Sequence, residues 1–193
     1  MSLIDIDKLL EVIVPDQKST DKKKQVGLYA GGFKPPTSGH FKVVMKALRD
    51  NPDLDELKIL IGNKDRDGVT QAQSMLIWDI YKKYLPFKVN IMPVTKPPIK
   101  AVYDYAKENQ DEQVSWIIGA REGNEDDFKD IAARTTKLDN YPNLELRTIV
   151  TQGGASGTAA RQAGKISKEK LVPYLPDELK DEEVEEVYRM ISD

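Results

Sequence analysis

Gly27-Leu28-Tyr29-Ala30-Gly31-Gly32-Phe33-Lys34-Pro35-Pro36-Thr37-Ser38-Gly39-His40 passes from a strand, through a Gly-Gly break and two prolines, into a helix. Val26 to Ala30 is short and apolar enough for a buried strand. Gly31 and Gly32 permit a sharp turn and a close backbone approach to a ligand. Pro35 and Pro36 stiffen the loop and exclude helix there. The spacing predicts a helix opening near Thr37 or Ser38, with Phe41, Val44, Met45 and Leu48 as its apolar stripe. Gly39 and His40, the only histidine of the chain, then sit in the first turn. Free N–H groups and the positive dipole end attract phosphate there.

Working outward, the pattern alternates strands with helices. Strands are expected at Leu57 to Ile61, Lys88 to Val94, Val114 to Ile118 and Leu144 to Val150. Thr70 reads as the cap of a helix whose apolar side holds Met75, Trp78, Ile80, Tyr81 and Leu85. Lys96-Pro97-Pro98 forces a break before a helix from Ile99 to Asn109, and Phe128 to Arg134 reads as a shorter one. Such alternation implies right-handed crossovers and a Rossmann-like, doubly wound parallel five-stranded sheet with helices on both faces. Ligands of such sheets bind beyond the carboxyl ends of the strands. Four loops leave those ends: Gly31 to His40, Gly62 to Gly68, Gly119 to Gly123, and Thr151 to Arg161. The last has small residues, the hydroxyls of Ser156 and Thr158, and Arg161 one turn into a helix. That arrangement suits an anion.

Composition narrows the classes. The chain has 193 residues, enough for one domain with a sizeable core. Lys and Arg total 29 against 32 Asp and Glu, for a net charge of −3. That balance does not suggest a nucleic-acid partner, and no basic recognition helix is visible. There is no cysteine, so disulfides, a thiolate zinc site and a cysteine nucleophile are excluded. No run is long enough to span a bilayer, and the first residues lack a signal-peptide pattern. A cytoplasmic protein without a membrane partner is expected.

Thr37-Ser38-Gly39-His40 resembles the T-x-G-H form of the H-x-G-H signature of the nucleotidylyltransferase superfamily. The wider G-x-F-x-P-x-T-x-G-H string, from Gly31 through Phe33 to His40, is similar to that of phosphopantetheine adenylyltransferases and their relatives, the nicotinamide-nucleotide adenylyltransferases among them. Lys34 departs from it, standing where many members have Asp or Asn. Ser156, Thr158 and Arg161 match the S-x-T-x-x-R segment of the same superfamily. Gly119-Ala120-Arg121, with Asp127-Phe128 downstream, is similar to a G-L-R loop and its continuation, with altered spacing.

The resemblance implies transfer of a nucleoside monophosphate, AMP favoured, from a nucleoside triphosphate to a phosphate-bearing small molecule, with release of pyrophosphate. His40 would hold the triphosphate and Thr37 the α-phosphate. Lys64 and Arg121 would neutralise the acceptor or transition state, and Ser156, Thr158 and Arg161 would grip the β- and γ-phosphates. Gly31, Gly32, Phe33, Gly39 and Gly119 would line the nucleotide site. Mg²⁺ would be held mainly by the phosphates. The resemblance spans 26–176; residues 1–25 read as a helix (Asp5 to Val14) and a polar linker, and 177–193 as an acidic helix packed on the domain. Open alternatives are a cytidylyltransferase, a nucleotide-sensing module without turnover, and an assembly protein. Neither the acceptor nor the oligomeric state, a homo-oligomer included, is legible.

Overall fold

The computed structural model describes residues 22–86 and 88–192. The expected helix at Asp5 to Val14 lies outside them. In order the elements are β1 (Gln25–Gly31), α1 (Ser38–Asp50), β2 (Glu56–Ile61), α2 (Gln71–Lys82), β3 (Val89–Pro93), α3 (Pro98–Glu108), β4 (Gln113–Arg121), α4 (Glu125–Thr135), β5 (Leu144–Thr151), α5 (Gly157–Gly164), α6 (Lys168–Leu171) and α7 (Asp181–Ser192). The five strands form one parallel sheet in the order β3-β2-β1-β4-β5. Strand order reverses between β1 and β4, which places the switch point there.

Alternation along each strand divides the core into two layers. Tyr29, Ile59, Ile117 and Ile149 face α1, α2 and the C-terminal helices, where they meet Trp78, Tyr81, Val187 and Ile191. Leu28, Leu60, Trp116 and Ile118 face α3, through Val102 and Ala106, and Ile131 of α4. Helices on both faces leave only the strand ends open to a ligand. Helix α7 joins the first layer, and Gln73 Nε2 of α2 donates to Met190 O at 2.9 Å. Among the described residues no helix is long and apolar enough to cross a membrane.

Two expectations need correction, and one backbone angle is unusual. Met45 is exposed, and the buried side of α1 consists of Phe41, Val43, Val44, Ala47 and Leu48. Gly119-Ala120-Arg121 is strand, not loop: β5 runs on beside β4, and their pairing continues to Arg121 opposite Thr151. The positive backbone angle of the first turn falls on Phe33 (φ 51), not on Gly31 or Gly32. A left-handed aromatic residue is costly. Its compensation is burial: the Phe33 ring covers Gly31 and packs against Tyr29, His40 and Trp78, and Ser74 Oγ donates to Phe33 O at 2.6 Å.

Candidate active site

Two adjoining clefts open at the switch point. The first, of about 240 Å³, is lined by the start of α1 (Gly39, His40, Val43), the end of β4 (Gly119, Ala120, Arg121) and the segment entering α5 (Gly154 to Gly157). The second, of about 200 Å³, lies over Ala30 to Phe33 and reaches Ile117, Asp130 and Arg134. Tyr29, His40, Gly119 and Asp127 belong to both, so the histidine stands at the junction.

The His40 ring is oriented from its own helix. Thr37 is the N-cap, and its backbone N–H donates to His40 Nδ1 at 3.0 Å. With Nδ1 accepting, the neutral ring carries its proton on Nε2, which leaves Nε2–H as the donor available to a ligand. Phe33 meets the ring edge-on at 5.0 Å between centroids. Burial pushes the His40 pKa down to about 4, so it is a neutral donor at pH 7. The Thr37 hydroxyl oxygen also lies 3.0 Å from His40 Nδ1, and it donates to Ala155 O at 3.0 Å. That bond ties the α1 start to the α5 entry across 118 residues. A Cβ at Gly39 would lie 3.4 Å from Ala155 N. The two helix N-termini therefore converge on the first cleft, and Ser156 caps α5 by accepting from Ala159 N–H at 3.0 Å. Two dipole ends on one cleft favour an anion.

Charged groups around the clefts are mostly paired. Arg121 grips Asp127 with Nε at 2.9 Å and Nη2 at 2.8 Å, and these contacts hold the Asp127 carboxyl below the usual carboxylate range. Arg134 pairs with Asp130 and stacks 5.1 Å from the centroid of Trp116. Arg161 is buried away from both clefts. Its Nε donates to Asp67 Oδ2 at 2.7 Å, Nη2 to Thr158 Oγ1 at 3.1 Å, and Nη1 to Lys34 O. Lys34 is buried too: its Nζ donates to Gly32 O at 2.7 Å and Gly62 O at 2.8 Å. It braces the loops after β1 and β2 against each other.

Of the residues singled out from sequence, Gly31, Gly32, Phe33, Gly39, His40, Gly119, Arg121 and Ser156 line the clefts. Thr37, Thr158 and Arg161 support the walls from behind, and Lys64 is exposed on its loop without reaching either cleft. Sequence reasoning did not select Tyr29, Val43, Asp130 or Arg134, and it named Asp127 only as the continuation of the Gly119-Ala120-Arg121 motif. Tyr29 could have been found by strand alternation, which turns it to the same face as Gly31. Burial pushes its phenol pKa up, so it is a neutral hydroxyl in the cleft.

No protein-family model matches this chain, and comparison with curated proteins finds no similar sequence. Solved structures do resemble it. A Plasmodium falciparum nicotinic acid mononucleotide adenylyltransferase complexed with APC is 14% identical with a TM-score of 0.60, over 86% of this chain and 95% of that one. A Vibrio parahaemolyticus protein assigned as a nicotinate-nucleotide adenylyltransferase is 15% identical with a TM-score of 0.60, over 88% and 96%. Thermotoga maritima TmcAL bound with alpha-thio ATP is 11% identical with a TM-score of 0.61, over 86% of this chain and 55% of that one. At these identities the shared feature is the fold, and this chain has the Rossmann-like α/β architecture of those structures.

Proposed function

We propose that the protein is a nucleotidylyltransferase that moves AMP from ATP to a phosphate-bearing small molecule and releases pyrophosphate. One observation carries this reading: a neutral histidine, oriented by its own N-cap, stands where two helix N-termini face a cleft at the switch point. The adenylyltransferase names of two structural neighbours, and the alpha-thio ATP bound by the third, support adenine.

The acceptor phosphate is already an anionic nucleophile near neutral pH. One of its oxygens attacks the α-phosphorus in line. The bond from that phosphorus to the bridging oxygen breaks, and pyrophosphate leaves with the electron pair. Such a step needs position and charge stabilisation rather than a covalent intermediate. His40 Nε2–H and the first-turn amides of α1 and α5 supply donors for charge that grows on the leaving group. Arg121, about half exposed beside Asp127, is placed to meet phosphate oxygens from the β4 side. Magnesium enters this scheme with the triphosphate. The cleft carboxylates Asp127 and Asp130 are already paired with arginines, so phosphate oxygens and water are its fitting ligands. The proposal includes a cytoplasmic location, where nucleoside triphosphates are available.

The test is a pyrophosphate-release screen of ATP, CTP, GTP and UTP against phosphorylated acceptors, nicotinate mononucleotide among them. Release with ATP and one acceptor supports the proposal. A folded protein that releases none with any pair overturns it.

A further inference from the structure

The loop after β2 is built as a rigid presenter. Its start is held by Lys34 Nζ on Gly62 O and by Gly62 N–H on Gly31 O at 2.9 Å. Asn63 Nδ2 donates to Thr95 O at 2.9 Å, and Asp65 Oδ1 accepts from Gln71 N–H at 3.3 Å. Its tip is a tight turn in which Arg66 and Val69 exchange backbone bonds of 3.1 and 2.9 Å. The two central residues are Asp67 (φ 48) and Gly68 (φ 89), the Asp-Gly pair that suits a turn with two positive angles. Arg161 then anchors the turn from α5 through Asp67.

What this brace presents is the Arg66 side chain. A Cβ at Gly32 would lie 4.0 Å from the Arg66 guanidinium carbon. Gly32 lines the second cleft beside His40. Around the cleft Arg121 pairs with Asp127 and Arg134 with Asp130, while the Lys34 ammonium is turned onto the carbonyl oxygens of Gly32 and Gly62. Among the described residues Arg66 has neither an ion-pair nor a side-chain hydrogen-bond partner. An exposed guanidinium without a counter-ion, beside a glycine that lines the second cleft, fits the paired oxygens of a phosphoryl group.

We infer that Arg66 is the phosphate-binding cation of this loop, the place that the resemblance gave to Lys64; the inference rests on the nucleotidyl transfer proposed above. The phosphoryl group is either part of the nucleotide polyphosphate or the phosphate of the acceptor, and the two sources separate experimentally.

Calorimetry with pyrophosphate, ATP, adenosine and inorganic phosphate (the last titrated in the presence of adenosine) is run on the wild-type protein, Arg66→Gln, Arg66→Lys and Lys64→Gln, with thermal unfolding alongside. Arg66→Gln is expected to keep its unfolding temperature and adenosine affinity. It should lose tenfold or more for pyrophosphate and ATP if the donor is held, or for inorganic phosphate if the acceptor is held. Arg66→Lys should recover part of the loss, since a point charge replaces the fork. Affinities within twofold of wild type for all three anions in Arg66→Gln, or a larger loss in Lys64→Gln, overturn the assignment. A wild-type protein that binds pyrophosphate through Arg66 but releases none from any triphosphate leaves the assignment standing and refutes the enzymatic reading instead.

Discussion

Gly119→Ala tests how His40 is held. Gly119 lies on β4 under the first turns of α1, and an added Cβ would come within 2.8 Å of Val43 Cγ2. Ordinary carbon contacts lie near 3.5–4.0 Å, so about 1 Å must be found. Val43 cannot turn away easily, because it is buried and its branched side chain is confined to one rotamer in a helix. Helix α1 must therefore lift from the sheet. Overpacking of this kind costs about 1–3 kcal/mol. For a domain of this size that corresponds to a melting temperature lower by roughly 2–12 °C. His40 is three residues along the same helix, and a shift near 1 Å in a positioning group can cost about a hundredfold in rate. Unfolding and pyrophosphate release would be measured on Gly119→Ala and on Gly119→Ala/Val43→Ala. The second variant removes the obstructing methyls and should regain part of both losses. A Gly119→Ala protein with unchanged melting temperature and unchanged turnover would refute the claim that this contact sets the helix.

The remaining predictions concern titration and the C-terminal helix. His40 has a folded pKa of about 4 against an ordinary 6.5. Below 6.5 the unfolded chain takes up a proton that the folded one refuses, so stability should fall as pH drops from 6.5 to 4, by at most about 1.4 kcal/mol per pH unit. His40→Gln should flatten that window in denaturant titrations, and an unchanged slope would contradict it. Glu183 accepts from Tyr84 Oη at 2.5 Å and Lys83 Nζ at 2.9 Å, contacts that lower its pKa to about 2. Its contribution is present above 4.5 and lost as pH falls toward 2. Glu183→Gln should loosen α7, seen as faster amide exchange at Val187 and Ile191; protection equal to wild type would refute that role.

The strands and helices were legible because the relevant signals are local: the apolar run of β1, the Thr70 cap and the prolines before α3. The site was legible as a set of loops but not as a set of contacts. Phe33 was readable as a motif letter, yet its left-handed backbone depends on Trp78 and Ser74, more than forty residues away. Arg161 was expected to face phosphate, but Asp67 and Lys34 O draw it inward, an outcome decided by loop placement. Arg66 and Lys64 have the same charge in one loop. Both are exposed, and only the fold brings the Arg66 guanidinium beside Gly32.

The central claim is that a triphosphate lies between the N-termini of α1 and α5 against His40. A crystal structure with a non-hydrolysable ATP analogue tests it most directly. A phosphate oxygen is expected within about 3 Å of His40 Nε2, with the polyphosphate against Gly39 and Gly157. An analogue bound elsewhere, or one whose phosphates turn away from His40 into solvent, would contradict it.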